Sequence, residues 1–445
     1  MRRKLRLASA LLILIGAAAS CGGAVPAREN APPPRFVIGE QPTPIVADEL
    51  GRADLVLASD AVLTLVPATV RAGSYGYRLA AAQTPAGAGD SAPSPAATAA
   101  SAPAAVKPAA YRAMTFTPAV AMPAERDFLA PAGRGKTGFV KVHGYKLAEG
   151  ERSVFYAEES NDMVNALAAQ IVDYVDHTAL PEEAALFGPV PDVDANGKLI
   201  LLATAAVNHY SNVAGEFTGG FFASKDLDGR EGSNHADMLY LYLPRPTVDG
   251  GVFDHPEDYA ALLEEVVVHE MQHMINYAAR LAVGASLETP WLNEGLSHWA
   301  EEHFGFRRSN DIRAGYFLAD PRATPLAGNC QTLAERGAAY LFVKYLAEKS
   351  GDPLVLRKLV QSGLHGDANV AQAMGRPFGD VVRDWTASLW REYGDRLKTE
   401  TWSAGVTQAS LRQSAPAFIR VKGPVTLALR AAPGGAFQGS GSLVK

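Results

Sequence analysis

The sequence predicts an α+β protein, and three observations predict it. Short β-rich runs crowd residues 138–243, helical patterns take over from Pro256 onward, and no internal repeat links the two regions. With 445 residues, 48% hydrophobic and a net charge of −6, the chain can bury a sizeable core and has a folded composition. Its 41 basic and 47 acidic residues give no overall electrostatic case for nucleic acid. Two cysteines, Cys21 and Cys330, exclude a disulfide scaffold and any thiolate-rich metal site. The ten histidines are the only plentiful soft ligands.

Arg2, Arg3, Lys4 and Arg6 precede an apolar run, Leu7–Ala19, that is short for a membrane span of ~20 residues. Small residues then lead into Cys21. This order resembles a bacterial lipoprotein signal over residues 1–20, which implies that Cys21 is lipidated as the first residue of the mature chain. Ala18 stands where Leu is usual, so ordinary secretion remains the alternative. Gly22 is compatible with sorting to the outer membrane. The expectation is an exported cell-envelope protein, at the outer membrane or cell surface, touching the membrane through an N-terminal lipid only. Cys330 is then left unpaired and is expected to be buried as a small apolar residue.

Residues 21–35 read as a tether. Residues 36–80 carry short apolar runs, Leu55–Leu57 and Val62–Val66, that suggest a few strands. Residues 81–110 collapse to Ala, Pro, Ser, Thr and Gly, a linker with almost nothing to bury against the entropy of ordering it. Residues 111–255 form the expected mixed α/β half, with strands at Gly138–Val142, Arg152–Tyr156, Lys198–Thr204 and Met238–Leu243. A helix is expected over Asn161–His177, where Val164, Leu167, Ile171 and Val175 recur at helical spacing. Residues 256–400 form the helical half: Asp258–Ala282, Pro290–Phe304, Leu333–Lys349, Pro353–Gln361 and Phe378–Leu397. Residues 401–445 hold a C-terminal β segment, in which Phe418–Val421 and Val425–Leu429 flank Gly423-Pro424 as in a hairpin.

His269-Glu270-Met271-Gln272-His273 is an HExxH motif inside a stretch free of Pro and Gly. Residues at i and i+4 share a helix face, so both imidazoles can address one ion. Glu270 can then face the ion's open side and take a proton from water. A catalytic zinc wants three protein ligands and one open position. Asn276 and Ala279 occupy the places where a metzincin carries Gly and a third His, so the third ligand must come from elsewhere. Glu294 supplies it from Trp291-Leu292-Asn293-Glu294-Gly295-Leu296, a helix that Pro290 marks at its first position.

The HExxH helix followed by an Asn-Glu helix resembles the gluzincin plan of thermolysin and the zinc aminopeptidases. The fuller similarity is to the hyicolysin-type bacterial metallopeptidases, over residues 138–400. It is carried by Asp192–Lys198, Ser233–Leu241, His269–Ile275, Trp291–Glu301 and Gly337–Phe342. The resemblance implies a gluzincin-like fold with the zinc cleft between the two halves. It implies His269, His273 and Glu294 as ligands of one Zn2+, Glu270 as general base, and peptide-bond hydrolysis on a protein or peptide substrate. Two departures stand out: His298 occupies the place of the usual Asp, and Arg336-Gly337 that of a usual Tyr-Gly.

Glu301 returns to nearly the same helix face as Glu294 and is a candidate partner for a ligating imidazole. His298 shares that face, unless it simply packs under Trp299. Tyr340 or Arg336, on the next long helix, is the candidate donor to the oxyanion. The Asp192–Gly197 turn resembles the start of a Ca2+ loop, with oxygens at alternate positions and a sharp Gly turn. Ala203 stands where the loop's last acidic ligand belongs, which favours an Asx-rich turn leading into a strand. The expectation is a monomeric, exported zinc endopeptidase without a nucleic-acid partner. The rivals are an aminopeptidase of the same metal plan, which a Gly-x-Met-Glu-Asn segment would mark and none does, and a non-catalytic surface lipoprotein with structural zinc.

Overall fold

Residues near the two ends of the chain alternate in hydrophobicity, and alternation asks for a partner sheet on one face. The computed structural model describes residues 32–82, 96–97, 120–133, 136–211, 217–244, 256–402, 405–431 and 437–443. The expected signal sequence, Cys21, the expected tether up to residue 31 and most of the expected linker lie outside them.

The first strands are β1 (Arg35–Ile38), β2 (Thr43–Val46), β3 (Arg52–Leu57), β4 (Ala61–Pro67), β5 (Gly73–Ala81) and the two-residue β6 (Ala96–Ala97). The middle of the chain supplies β7 (Glu125–Pro131), β8 (Phe139–Glu149), β9 (Ser153–Ala157), β10 (Leu199–Thr204), β11 (Gly220–Phe222) and β12 (Met238–Tyr242). These six form one sheet in the order β11-β12-β10-β9-β8-β7. β9, β10 and β12 run parallel and are buried at every residue, as unbroken apolar runs in a covered sheet must be.

α1 (Asp162–Tyr174) starts at Asn161, whose side chain accepts the Val164 N–H, and buries Val164, Leu167 and Ile171. A π-helical turn, Val175–Ala179, carries it into α2 (Leu180–Leu186). The short α3 (Ala205–Ser211) and α4 (Lys225–Asp228) follow β10 and β11. The long α5 (Pro256–Ala282) lies against α1 and the sheet, and α6 (Pro290–His303) against α5. Then come α7 (Arg308–Ala319), α8 (Leu333–Lys349), α9 (Val355–Val360), α10 (Gly366–Met374) and α11 (Phe378–Tyr393). Sheet and helices share one apolar core, which fits the α+β expectation.

The chain ends in β13 (Glu400–Trp402), β14 (Val406–Arg412), β15 (Ala417–Val421), β16 (Val425–Ala431) and β17 (Phe437–Leu443). Here the segment-by-segment reading needs correcting. β4 lies between β15 and β17, and β16 lies between β3 and β5. Residues 36–80 and 401–445 are therefore interleaved in two facing sheets, β1-β3-β16-β5-β14 and β13-β15-β4-β17-β2, with a core of their own. The hairpin expected around Gly423-Pro424 does not form, because β15 and β16 sit in opposite sheets. α11 packs on β4 and β17, joining this sandwich to the helical half.

Candidate metal centre

α5 presents His269 and His273 one turn apart, with ring centroids 4.8 Å apart. α6 brings Glu294 against them. Its Oε2 lies 3.8 Å from His269 Nε2 and its Oε1 3.7 Å from His273 Nε2. These separations are too long for hydrogen bonds. They approach the about 3.3 Å edge expected between ligands each about 2.0–2.1 Å from one tetrahedral ion. α6 also packs closely on α8: a Cβ on Gly295 would stand 2.7 Å from the Ala339 carbonyl oxygen.

The hydrogen bonds around the imidazoles fix which nitrogen faces inward. His269 Nδ1 donates to Glu301 Oε1 at 2.7 Å. Ser297 Oγ donates to Gln272 Oε1 at 2.7 Å, so it accepts from the His273 ring, whose Nδ1 is nearer at 3.1 Å than its Nε2 at 3.5 Å. Both Nε2 lone pairs are thereby left toward Glu294. Two imidazoles and one carboxylate, oriented in this way, fit the donor set of a zinc site with a position left open.

Glu301 collects further donors. His298 Nδ1 reaches its Oε1 at 3.0 Å and Arg313 its Oε2 at 2.7 Å. Burial opposes ionisation of Glu301, but the pull of His298 and the hydrogen bond from His269 outweigh it and hold the carboxyl well below its usual range. Burial depresses His298 to about 3, so it is neutral. Its Nε2 has no hydrogen-bond partner among the described residues and lies 3.7 Å from Glu294 Oε2. Burial likewise works against the Glu294 carboxylate. Electrostatic attraction to His273, Arg336 and His269 prevails and brings it down to about 2.

Arg336 reaches the cluster from α8, with its guanidinium 2.9 Å from Glu294 Oε2. Tyr340, one turn further on, does not join it. Its hydroxyl donates to Glu302 Oε2 at 2.7 Å, and Lys344 holds the same carboxylate. Glu270 Oε2 accepts the Phe222 backbone N–H at 2.9 Å. Phe222 belongs to β11, the edge strand beside α5, and Gly220 permits that approach, since a Cβ there would stand 2.5 Å from Val266 Cγ1. A cleft of about 270 Å³ opens next to His273, lined by Phe222, Ser224, Tyr277, Arg280 and Asn293 among others.

Sequence reasoning missed β11, which stands at the sheet edge, whereas β12, within the expected Met238–Leu243 strand, has neighbours on both sides. The Gly219-Gly220-Phe221-Phe222 run was the available signal. Arg313 and Ser297 were missed too. No local pattern marks Arg313, while Ser297 follows Glu294 at helical spacing and could have been found. Cys330 is buried and free, as expected. Among the described residues no helix is long and apolar enough to cross a membrane.

Compared with known proteins, the chain is similar to a neutral metalloprotease, ShpI, of Staphylococcus hyicus. They share 26% identity over 228 residues, covering 48% of this chain and 49% of that protein. The chain thus matches about half the length of this relative. No family model matches it.

Proposed function

We propose that this chain is a zinc-dependent endopeptidase of the gluzincin type, exported and attached to the cell envelope by a lipid on Cys21. The observation that carries the reading is the convergence of His269 Nε2, His273 Nε2 and the Glu294 carboxylate beside a Glu270 that faces the edge strand. Similarity to a neutral metalloprotease supports it.

His269, His273 and Glu294 would hold the ion. A bound zinc lowers the pKa of its water toward about 7 and polarises a scissile carbonyl. The chain's own groups do the rest. An extended peptide adds to the side of β11 away from β12, its one strand partner among the described residues. Side chains beside the scissile bond find room in the cleft next to His273. Glu270 accepts a proton from the attacking water and delivers it to the leaving amine. Arg336 is the donor best placed for the oxyanion, because the Tyr340 hydroxyl is committed to Glu302. Glu301 and Ser297 keep the two imidazoles in their tautomers.

The test is casein and peptide hydrolysis, with zinc content, for the full chain and Glu270→Gln. Loss of a general base costs about 10²–10⁴-fold in turnover and leaves the ligands in place. A variant with full zinc and undiminished hydrolysis would overturn the proposal. A wild-type protein that holds zinc without cleaving any peptide would point to a structural site.

A further inference from the structure

Among residues that the HExxH cluster does not use, three carboxylates meet at the start of two parallel strands. Asp192 and Asp194 lie in the turn before β10, and Asp237 immediately precedes β12. Each offers an oxygen within 4.8 Å of the other two. The backbone ties the two places together, since the Ile200 N–H donates to the Asp237 carbonyl at 3.0 Å. The turn organises itself locally: Asp192 accepts the Gly197 N–H, and Asp194 accepts from Asn196. Such a turn explains Asp192 and Asp194 without any ligand.

It does not explain Asp237. That side chain is completely buried, and only its Oδ1 is used, by the Val193 N–H at 3.1 Å. Oδ2 has no hydrogen-bond partner among the described residues. A fully buried carboxylate oxygen left unpaired beside two other carboxylates is costly unless a cation is there. Burial, and then the charges of Asp194 and Asp192, push the Asp237 carboxyl well above its usual range. Arg126 acts on Asp194 electrostatically, but its guanidinium contacts the Asn234 carbonyl and the Phe128 ring.

The geometry points to a calcium site formed by Asp192, Asp194 and Asp237, which clamps the starts of β10 and β12 together. All-oxygen donors in an irregular turn suit a hard cation, and Ca2+ tolerates flexible coordination completed by backbone carbonyls and water. Mg2+ demands stricter octahedral geometry and sheds water reluctantly. The last acidic ligand, absent from the linear loop at Ala203, is supplied across the sheet by Asp237. The role is structural and independent of peptide hydrolysis.

The experiment is thermal unfolding of the zinc-loaded full chain in calcium-depleted buffer, with zinc held constant and CaCl2 or MgCl2 added. Elemental analysis of the purified protein covers tight binding. The expected result is one calcium per chain, or a midpoint that rises by several degrees and saturates with a Kd of ~1 mM or tighter. Mg2+ should do less. Asp237→Asn should abolish the calcium response and, without calcium, unfold no lower than wild type, because the substitution removes a repelled buried charge. If Asp237→Asn fails to fold, Asp194→Asn, in the half-buried turn, should weaken the response at least about tenfold. A wild-type protein that neither contains nor responds to calcium would overturn the site. So would folded Asp237→Asn or Asp194→Asn protein with the full wild-type response.

Discussion

Replacing Glu301 by Gln should cost zinc affinity without unfolding the protein. The carboxylate receives three donors: His269 Nδ1 and His298 Nδ1 on Oε1, at 2.7 and 3.0 Å, and Arg313 on Oε2, at 2.7 Å. Glutamine keeps one acceptor oxygen and brings an NH2 group. If the oxygen stays with the imidazoles, the NH2 confronts Arg313. If it turns to Arg313, His269 loses the acceptor that keeps its Nε2 free for metal. Losing such an orienting partner typically weakens a metal site 10–100-fold, about 1.4–2.7 kcal/mol. The assay is competition with a chromophoric zinc chelator at fixed pH, with circular dichroism as the check on folding. Glu302→Gln is the control, because the neighbouring carboxylate binds Tyr340 and Lys344 instead. Zinc affinity within about two-fold of wild type for folded Glu301→Gln protein would refute the orienting role.

Tyr340→Phe should leave peptide hydrolysis within a few-fold of wild type, whereas Arg336→Met should lower kcat more than it raises KM, as steady-state kinetics will show. Leu65→Ala, at a fully buried position of β4, should destabilise the terminal sandwich by about 2–5 kcal/mol in a denaturant titration. Removing residues 1–82 deletes β1–β5, leaves β14, β16 and β17 without a paired strand among the described residues and leaves β15 with β13 alone, so the truncated chain should be insoluble or unfold without a cooperative transition, as solubility and calorimetry will show. Gly295→Ala should lower both zinc affinity and stability, since its Cβ would press on the Ala339 carbonyl and displace Glu294; chelator competition and thermal melts measure the two effects.

The candidate ligands were legible because their signals are local. Two histidines at i and i+4 need only a helix, and the Pro290 boundary with Asn293-Glu294 marks the next one. Glu301 was legible by the same helical arithmetic. What escaped was non-local. β4 pairs with β15 and β17, which lie at the far end of the chain, and nothing in Val62–Val66 names those partners. β15 and β16 looked like a hairpin because a Gly-Pro turn separates them, but a sandwich places successive strands in opposite sheets just as readily. β11 is three residues long with glycines at its start, too short for periodicity to register. Asp237 was part of a motif segment, yet its proximity to Asp192 depends on the β10–β12 register.

Arg313 shows how far the centre's support reaches. It comes from α7, and its position is set by α8, because a Cβ on Gly337 would collide with the Arg313 backbone carbonyl. The Gly337–Phe342 segment carries Tyr340, a candidate oxyanion donor whose hydroxyl bonds Glu302. Its glycine instead lets α7 sit close enough for Arg313 to bond Glu301, which in turn orients His269. Four helices, α5 to α8, thus converge through one carboxylate on one imidazole. A residue separated from His269 by two others can therefore be as restricted in size as a candidate ligand is in chemistry.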